Sequence, residues 1–193
     1  MTKIETLVDT LGATDPNERA KALAELVGAG RQATTALIAA LSGTDPAVRV
    51  QAAQALAEIA DPSAEQAYLS LLEDPEPAVR GRGAQGLAAI GSPRALDALV
   101  RTIDDLPDLL HYPSTLAVQA LIAQGRKAAV AAAPLLQAPS PVTRERAVLV
   151  LRSLAGALPD SQELAAALAR YDPYADETDR EAAAEEIIRL VGA

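Results

Sequence analysis

Asp45-Pro46-Ala47-Val48-Arg49-Val50-Gln51-Ala52-Ala53-Gln54-Ala55-Leu56-Ala57-Glu58-Ile59 decides the fold, because the chain repeats it. Pro77-Ala78-Val79-Arg80-Gly81-Arg82-Gly83-Ala84-Gln85-Gly86-Leu87-Ala88-Ala89-Ile90 follows with nearly the same pattern, Val79 standing 31 residues after Val48. A fixed period of this size marks stacked supersecondary units, each too small to bury its own apolar face. Within the string, Val48, Ala52, Leu56 and Ile59 share one face of a helix of 3.6-residue period. Val79, Gly83, Leu87 and Ile90 repeat that face. Arg19, Ala22 and Leu26 precede it, and Ala117 with Leu121 follow. Arg144, Ala147, Leu151 and Leu154, then Arg180, Ala183, Ile187 and Leu190, complete six second helices, termed B.

The first helices of each unit, termed A, fall into the same register. Leu7, Val8 and Leu11 match Leu37, Ile38 and Leu41, then Tyr68, Leu69 and Leu72, then Leu99, Val100 and Ile103. The fifth and sixth rest on fewer residues, Leu135-Leu136 and Leu164 with Leu168. Asp15-Pro16 and Asp45-Pro46 put a capping acid before a proline at the first helical position, where the missing N–H costs nothing. Gly28 or Gly30, Gly91, Gly125 and Gly156 are the expected left-handed stops of successive B helices. Twelve helices in six pairs are therefore expected.

Composition agrees. Half of the 193 residues are apolar, which argues against disorder, yet there is no Phe, no Trp and only 4 Tyr. An Ala-rich chain of this kind packs helices closely. The net charge of −9 speaks against a nucleic-acid partner, which calls for a basic surface. Zero Cys excludes disulfides, thiolate chemistry and Cys-based zinc sites. No apolar run suggests a signal or a membrane span, so a cytoplasmic protein without a membrane partner is expected.

The string from Asp45 to Ile59 resembles the second helix of a HEAT repeat, in the short form found in phycobilisome-lyase-type HEAT-like proteins. The resemblance runs strongly from Asp15 to Ile103 and more loosely beyond. It implies an all-α, right-handed α-solenoid of antiparallel helix pairs, with residues 1–193 forming a single HEAT-like repeat domain. It also implies that Arg19, Arg49, Arg80, Arg144 and Arg180 are structural, bonding helix ends or carboxylates of neighbouring units, with Ser114 breaking the column. Function follows less directly, since such repeats serve as scaffolds, inhibitors, lyase subunits and some enzymes.

Partner contacts are expected where B helices line the concave face. One exposed column reads Ala24, Gln54, Gln85, Gln119, Leu149 and Glu185; its neighbour reads Lys21, Gln51, Arg82, Leu116, Arg146 and Ala182. Gln51, Gln54, Arg82, Gln85, Gln119 and Arg146 form the candidate polar patch, a solvated helix face being the alternative. Gly81, Gly83 and Gly86 match G-x-G-x-x-G, but they lie inside a helix, whereas a dinucleotide fingerprint follows a strand. Gly83 replaces a core Ala and implies tight interhelix packing; Gly81 and Gly86 leave room for a partner or mark a drifted surface. Two insertions between A and B, at 104–113 and 171–177, carry His111, Tyr112, Tyr171 and Tyr174, and should project from one edge. There the alternative is a loop packed onto adjacent helices.

Catalysis is not expected. One His cannot build a multi-His di-iron centre, and no nucleophile–base pair stands out, so neither a metal nor a cofactor is assigned. The favoured reading is a non-catalytic scaffold for a protein or peptide. The alternative is a lyase-type subunit or chaperone handling a bilin or other tetrapyrrole, with Arg82 and Arg146 facing its propionates. A further expectation is a homodimer through the apolar last helix, Ile187, Ile188, Leu190 and Val191.

Overall fold

Asp15 and Asp45 start their helices as the sequence dictates. Each carboxylate accepts the backbone N–H two residues on, from Asn17 at 2.9 Å and from Ala47 at 2.8 Å. The computed structural model describes residues 1–105 and 114–192, and all regular elements among them are helical. The A and B helices alternate as α1 (Lys3–Thr10) and α2 (Pro16–Ala29), α3 (Arg31–Ala40) and α4 (Pro46–Ile59), α5 (Glu65–Leu71) and α6 (Pro77–Ala89). They continue as α7 (Ala95–Arg101) and α8 (Leu116–Ala123), α9 (Arg126–Ala132) and α10 (Pro141–Leu154), α11 (Ser161–Arg170) and α12 (Glu177–Gly192). The expected twelve helices are present among the described residues, and the class is all-α helical repeat.

The chain divides into two compact units, Met1–Ala98 and Leu99–Ala193, with the boundary inside α7. In the first unit each A helix packs on its own B helix, and α4 lies between α2 and α6. Leu26, Leu56 and Leu87 of the B helices meet Leu11, Leu37 and Tyr68 in a fully buried core. In the second unit α10 packs on α8 and α9, and α12 packs on α9 and α11. Leu121, Leu151 and Ile187 continue the B-helix column there, again fully buried. No helix of the described residues is long and apolar enough to cross a membrane.

The arginine column has a single geometric cause. In every described case Nη1 turns back onto the loop before its own helix and donates to carbonyls five or six residues upstream. Arg19 bonds Ala13 O and Thr14 O, Arg49 bonds Gly43 O and Thr44 O, and Arg80 bonds Asp74 O and Pro75 O. Arg144 does the same to Ala138 O and Pro139 O, and Arg180 to Ala175 O. In Arg49 and Arg144 the opposite edge of the guanidinium then reaches the next repeat, whereas the Arg180 Nε is buried without a partner among the described residues. Arg49 Nε and Nη2 clamp Asp74 at 2.8 and 2.9 Å, while Arg144 Nε and Nη2 both donate to Pro173 O. Arginine suits this double task because its planar fork presents donors on two edges.

Three details depart from the sequence expectation. α9 stops at Ala132 and passes into a 3-10 turn, Ala133–Gln137, because Pro134 has no N–H to donate and its ring crowds the preceding turn. Leu135 and Leu136, which mark this helix in the sequence, therefore sit in the turn, with Leu136 fully buried. Gly30, Gly91 and Gly125 are left-handed stops, but Gly28 lies within α2 and Gly156 within a 3-10 turn. Of the residues expected at a homodimer seam, Ile187, Leu190 and Val191 face inward at 0, 3 and 1% exposure, and Ile188 is half-buried.

α4 lacks a glycine stop altogether and ends on Ala60 at φ +53°. A Cβ in this region crowds the carbonyl, at a cost of about 1 kcal/mol. Ala60→Gly should raise the unfolding free energy by about 0.5–1 kcal/mol, measured by urea titration at unchanged m-value. A loss of stability would show that Ala60 is not held in this conformation.

Candidate functional site

In the first unit, Gln51, Gln54, Arg82 and Gln85 all emerge half-buried from the paired helices α4 and α6. Their spacing explains this. Gln51 and Gln54 lie three apart on α4, as Arg82 and Gln85 do on α6, so each pair shares the helix face opposite its buried leucine. Gln54 Nε2 donates to Glu58 Oε1 at 3.2 Å, and Arg82 Nη1 donates to Gln85 Oε1 at 2.8 Å. Burial depresses the Arg82 pKa, partly offset by the charge of Glu58 across the helix pair. Arg82 Nε is buried and has no hydrogen-bond partner among the described residues.

An open cleft of about 490 Å³ lies beside Gln51, between the first turns of α2, α4 and α6. Arg19, Pro46, Val50, Gln51, Glu76 and Ala78 are on its walls. Arg19 lines this cleft with its Nη1 anchored on the carbonyls of Ala13 and Thr14. In Arg49 the other edge is filled by Asp74. The residue in register with Asp74 one repeat earlier is Gly43, so Arg19 has no equivalent acid.

Two of the three glycines of α6 have an internal cause. A Cβ on Gly83 would stand 2.8 Å from Leu71 Cβ and 3.0 Å from the Tyr68 carbonyl oxygen. A Cβ on Gly86 would collide with Cδ1, Cε1 and Cζ of the Tyr68 ring. Gly86 is buried against that ring, so the space it leaves is taken by the chain itself, and Gly81 is buried too. Tyr68 is fully buried with its hydroxyl unpartnered among the described residues, and burial raises its pKa well above the usual phenol value, helped by the charge of Asp61.

In the second unit, the remaining candidates separate. Gln119 is exposed on α8, with its amide 3.5 Å from Ser114 Oγ. Arg146 is only 3% exposed and donates to Asp104, which also accepts the Thr143 hydroxyl. Tyr171 is likewise buried, and its hydroxyl donates to Leu136 O. These two belong to the interior, so they leave the exposed set that the sequence suggested. The groups that cover them lie 42 and 35 residues away, and Tyr171 takes the packed-loop alternative. Tyr174 stays 62% exposed, with its hydroxyl donating to Glu145 at 2.6 Å. His111 and Tyr112 lie outside the described residues. The described ends of the two insertions do meet one element: Asp104, Pro173 and Tyr174 all bond residues 143–146 of α10.

Comparison with known proteins supports the repeat reading. Residues 34–111 match the family model described as HEAT repeats. The structure of the complex of CpcE and CpcF of phycocyanin lyase from Nostoc sp. PCC7120 is similar at 24% identity and a TM-score of 0.55, over 95% of this chain and 75% of that one. An engineered protein is similar at 22% identity and TM-score 0.41, over 100% and 97% of the two chains. A designed armadillo repeat protein in complex with the peptide (KR)4 is similar at 19% identity and TM-score 0.40, over 96% and 100%. No curated protein matches the sequence.

Proposed function

We propose that this HEAT-repeat protein is a non-catalytic scaffold that binds a protein or peptide segment on the B-helix face of its first unit. The observation that carries the reading is the half-buried polar band of Gln51, Gln54, Arg82 and Gln85 beside an open cleft. Half-buried amides hold few partners of their own and present donors and acceptors to a backbone laid across them. The Tyr174 edge of α10 in the second unit offers a separate contact point with an exposed aromatic.

Selection of random twelve-residue peptides against the full chain tests this reading, with amide chemical shifts then mapped by NMR. Selected peptides should shift residues of α4 and α6, and Gln51→Ala with Gln54→Ala should weaken them about tenfold. Enriched peptides that shift only other helices, or no enrichment at all, would remove the reading.

The tetrapyrrole reading rests on resemblance to lyase-type relatives and called on Arg82 and Arg146 together. Arg146 is spent on Asp104, which leaves that reading without its second basic group.

A further inference from the structure

We infer that the groove between α1 and α3, on the A-helix side of the first unit, docks an apolar polypeptide segment that carries a Lys or Arg. This goes beyond the scaffold reading, which concerns α4 and α6.

The groove measures about 680 Å³, and its two walls run in register. Thr2 and Gln32, Glu5 and Thr35, and Asp9 and Ala39 each stand 30 residues apart, and all six line it. Spacings of three and four keep each row on one side of its helix. Ile4 and Val8 of α1, with Ala36 and Ala40 of α3, supply the apolar surface. That surface is open because α1 is the first A helix. It packs mainly on α2 and α3 and has no fully buried residue, so Ile4 and Val8 stay half-buried. Covering them with an apolar partner removes that area from water.

The charge of the occupant follows from what surrounds this surface. None of the lining residues is basic. Asp9 stands in the last turn of α1, where the carbonyl end of the helix dipole disfavours an acid. Neither α1 nor α3 has a basic residue in its last turn to offset this. The Asp9 side chain has no partner among the described residues, whereas one Glu5 oxygen accepts the Thr2 N–H at 2.7 Å. The two nearest cations in sequence turn elsewhere, Lys3 to Glu25 and Arg31 to Asp61. A partner cation would therefore meet a free carboxylate and an uncompensated helix end together. The next groove, between α3 and α5, shows the contrast. There Gln66 and Ser70 stand in register with Glu5 and Asp9, so those two positions are neutral. The net charge of −9 adds long-range attraction for a basic segment.

The test selects random twelve-residue peptides on the full chain and retains those that lose binding to Ala39→Arg. Ala39 is exposed, so the new side chain occupies the groove and supplies its cation without entering the core. Retained peptides should shift amide signals of α1 and α3 and combine Leu or Ile with Lys or Arg. Asp9→Asn should weaken them about tenfold, and replacing their Lys or Arg by Gln should cancel that effect. Glu163→Gln removes the same charge from exposed α11 and should leave binding unchanged, which separates local contact from the field of the whole chain. Asp9→Asn should also raise the melting temperature by about 1–3 °C, a gain that a damaged fold cannot give. The inference is overturned if no peptide depends on Ala39, if binding ignores Asp9, if Glu163→Gln weakens it equally, or if Asp9→Asn lowers the melting temperature. Self-association abolished by Ala39→Arg would overturn it too, since a second copy would then be the occupant. Peptides that shift α4 and α6 keep the scaffold reading standing whichever result α1 and α3 give.

Discussion

Gly86→Ala is expected to be among the most damaging single-methyl changes in this protein. Its Cβ would enter the space of the Tyr68 ring, and overpacking of this kind costs about 1–3 kcal/mol, enough to outweigh the helix-propensity gain of about 1 kcal/mol from Gly to Ala. The melting temperature should fall by several degrees, at about 2–4 °C per kcal/mol for a chain of this size. The second repeat shows the cure. There the positions in register with Tyr68 and Gly86 are Leu37 and Ala55, a smaller residue facing a larger one. Tyr68→Leu combined with Gly86→Ala should recover most of the loss, giving a coupling of about 1–3 kcal/mol in a double-mutant cycle.

Two controls isolate the cause. Gly83→Ala should not be rescued by Tyr68→Leu, because its Cβ would meet Leu71 Cβ and the backbone of Tyr68 instead of the ring. Tyr68→Phe removes the unpartnered hydroxyl while keeping the ring, so it should be neutral or stabilising and should not rescue Gly86→Ala. Additive single effects in the main cycle would mean that the ring and the glycine do not share one space.

Asp74→Ala should cost about 3 kcal/mol, because it leaves the Arg49 guanidinium largely buried and without its bidentate partner. The same contact makes stability depend on pH. Burial pushes the Asp74 carboxyl up, but the Arg49 hydrogen bonds, the Glu76 amide and the charges of Arg49 and Arg80 outweigh it and hold the pKa below the usual carboxylate range. A depressed folded-state pKa gives stability that is present above the unfolded value, about 3.9, and is lost as pH falls through the folded value. The gap between wild type and Asp74→Ala should therefore be widest near neutrality and shrink below about pH 4, read by urea unfolding across pH 2–7. A gap that stays constant with pH would show that Asp74 acts by packing alone. Arg49→Lys should lose much of the same stability, since a point charge cannot reach the loop carbonyls and the carboxylate together.

Much of this architecture was legible in the residues because it is local. The 3.6-residue period within each B helix predicts the burial of Leu26, Leu56, Leu87, Leu121 and Leu151, and all five are buried. Asp-Pro at 15–16 and 45–46 predicts helix starts through contacts only two residues long. The arginine column was legible as structural for the same reason, since Nη1 reaches only five or six residues back. Register alone also marks Gly43 as a missing acid, but that signal has meaning only once Asp74 is seen to be the partner of Arg49.

The repeat string beginning at Asp45 determined by itself the class, the period and which face of each helix is buried. Periodicity along one helix encodes these directly, and no distant residue is needed to read them. Tertiary structure alone decided what each exception to the string is for. Gly86 answers to Tyr68 on another helix, Arg146 to Asp104 across a repeat, and Arg19 to an acid that is not there. Burial and charge matching depend on neighbours brought together from 18 to 42 residues apart, and a helix face cannot report which of its polar groups those neighbours will reach.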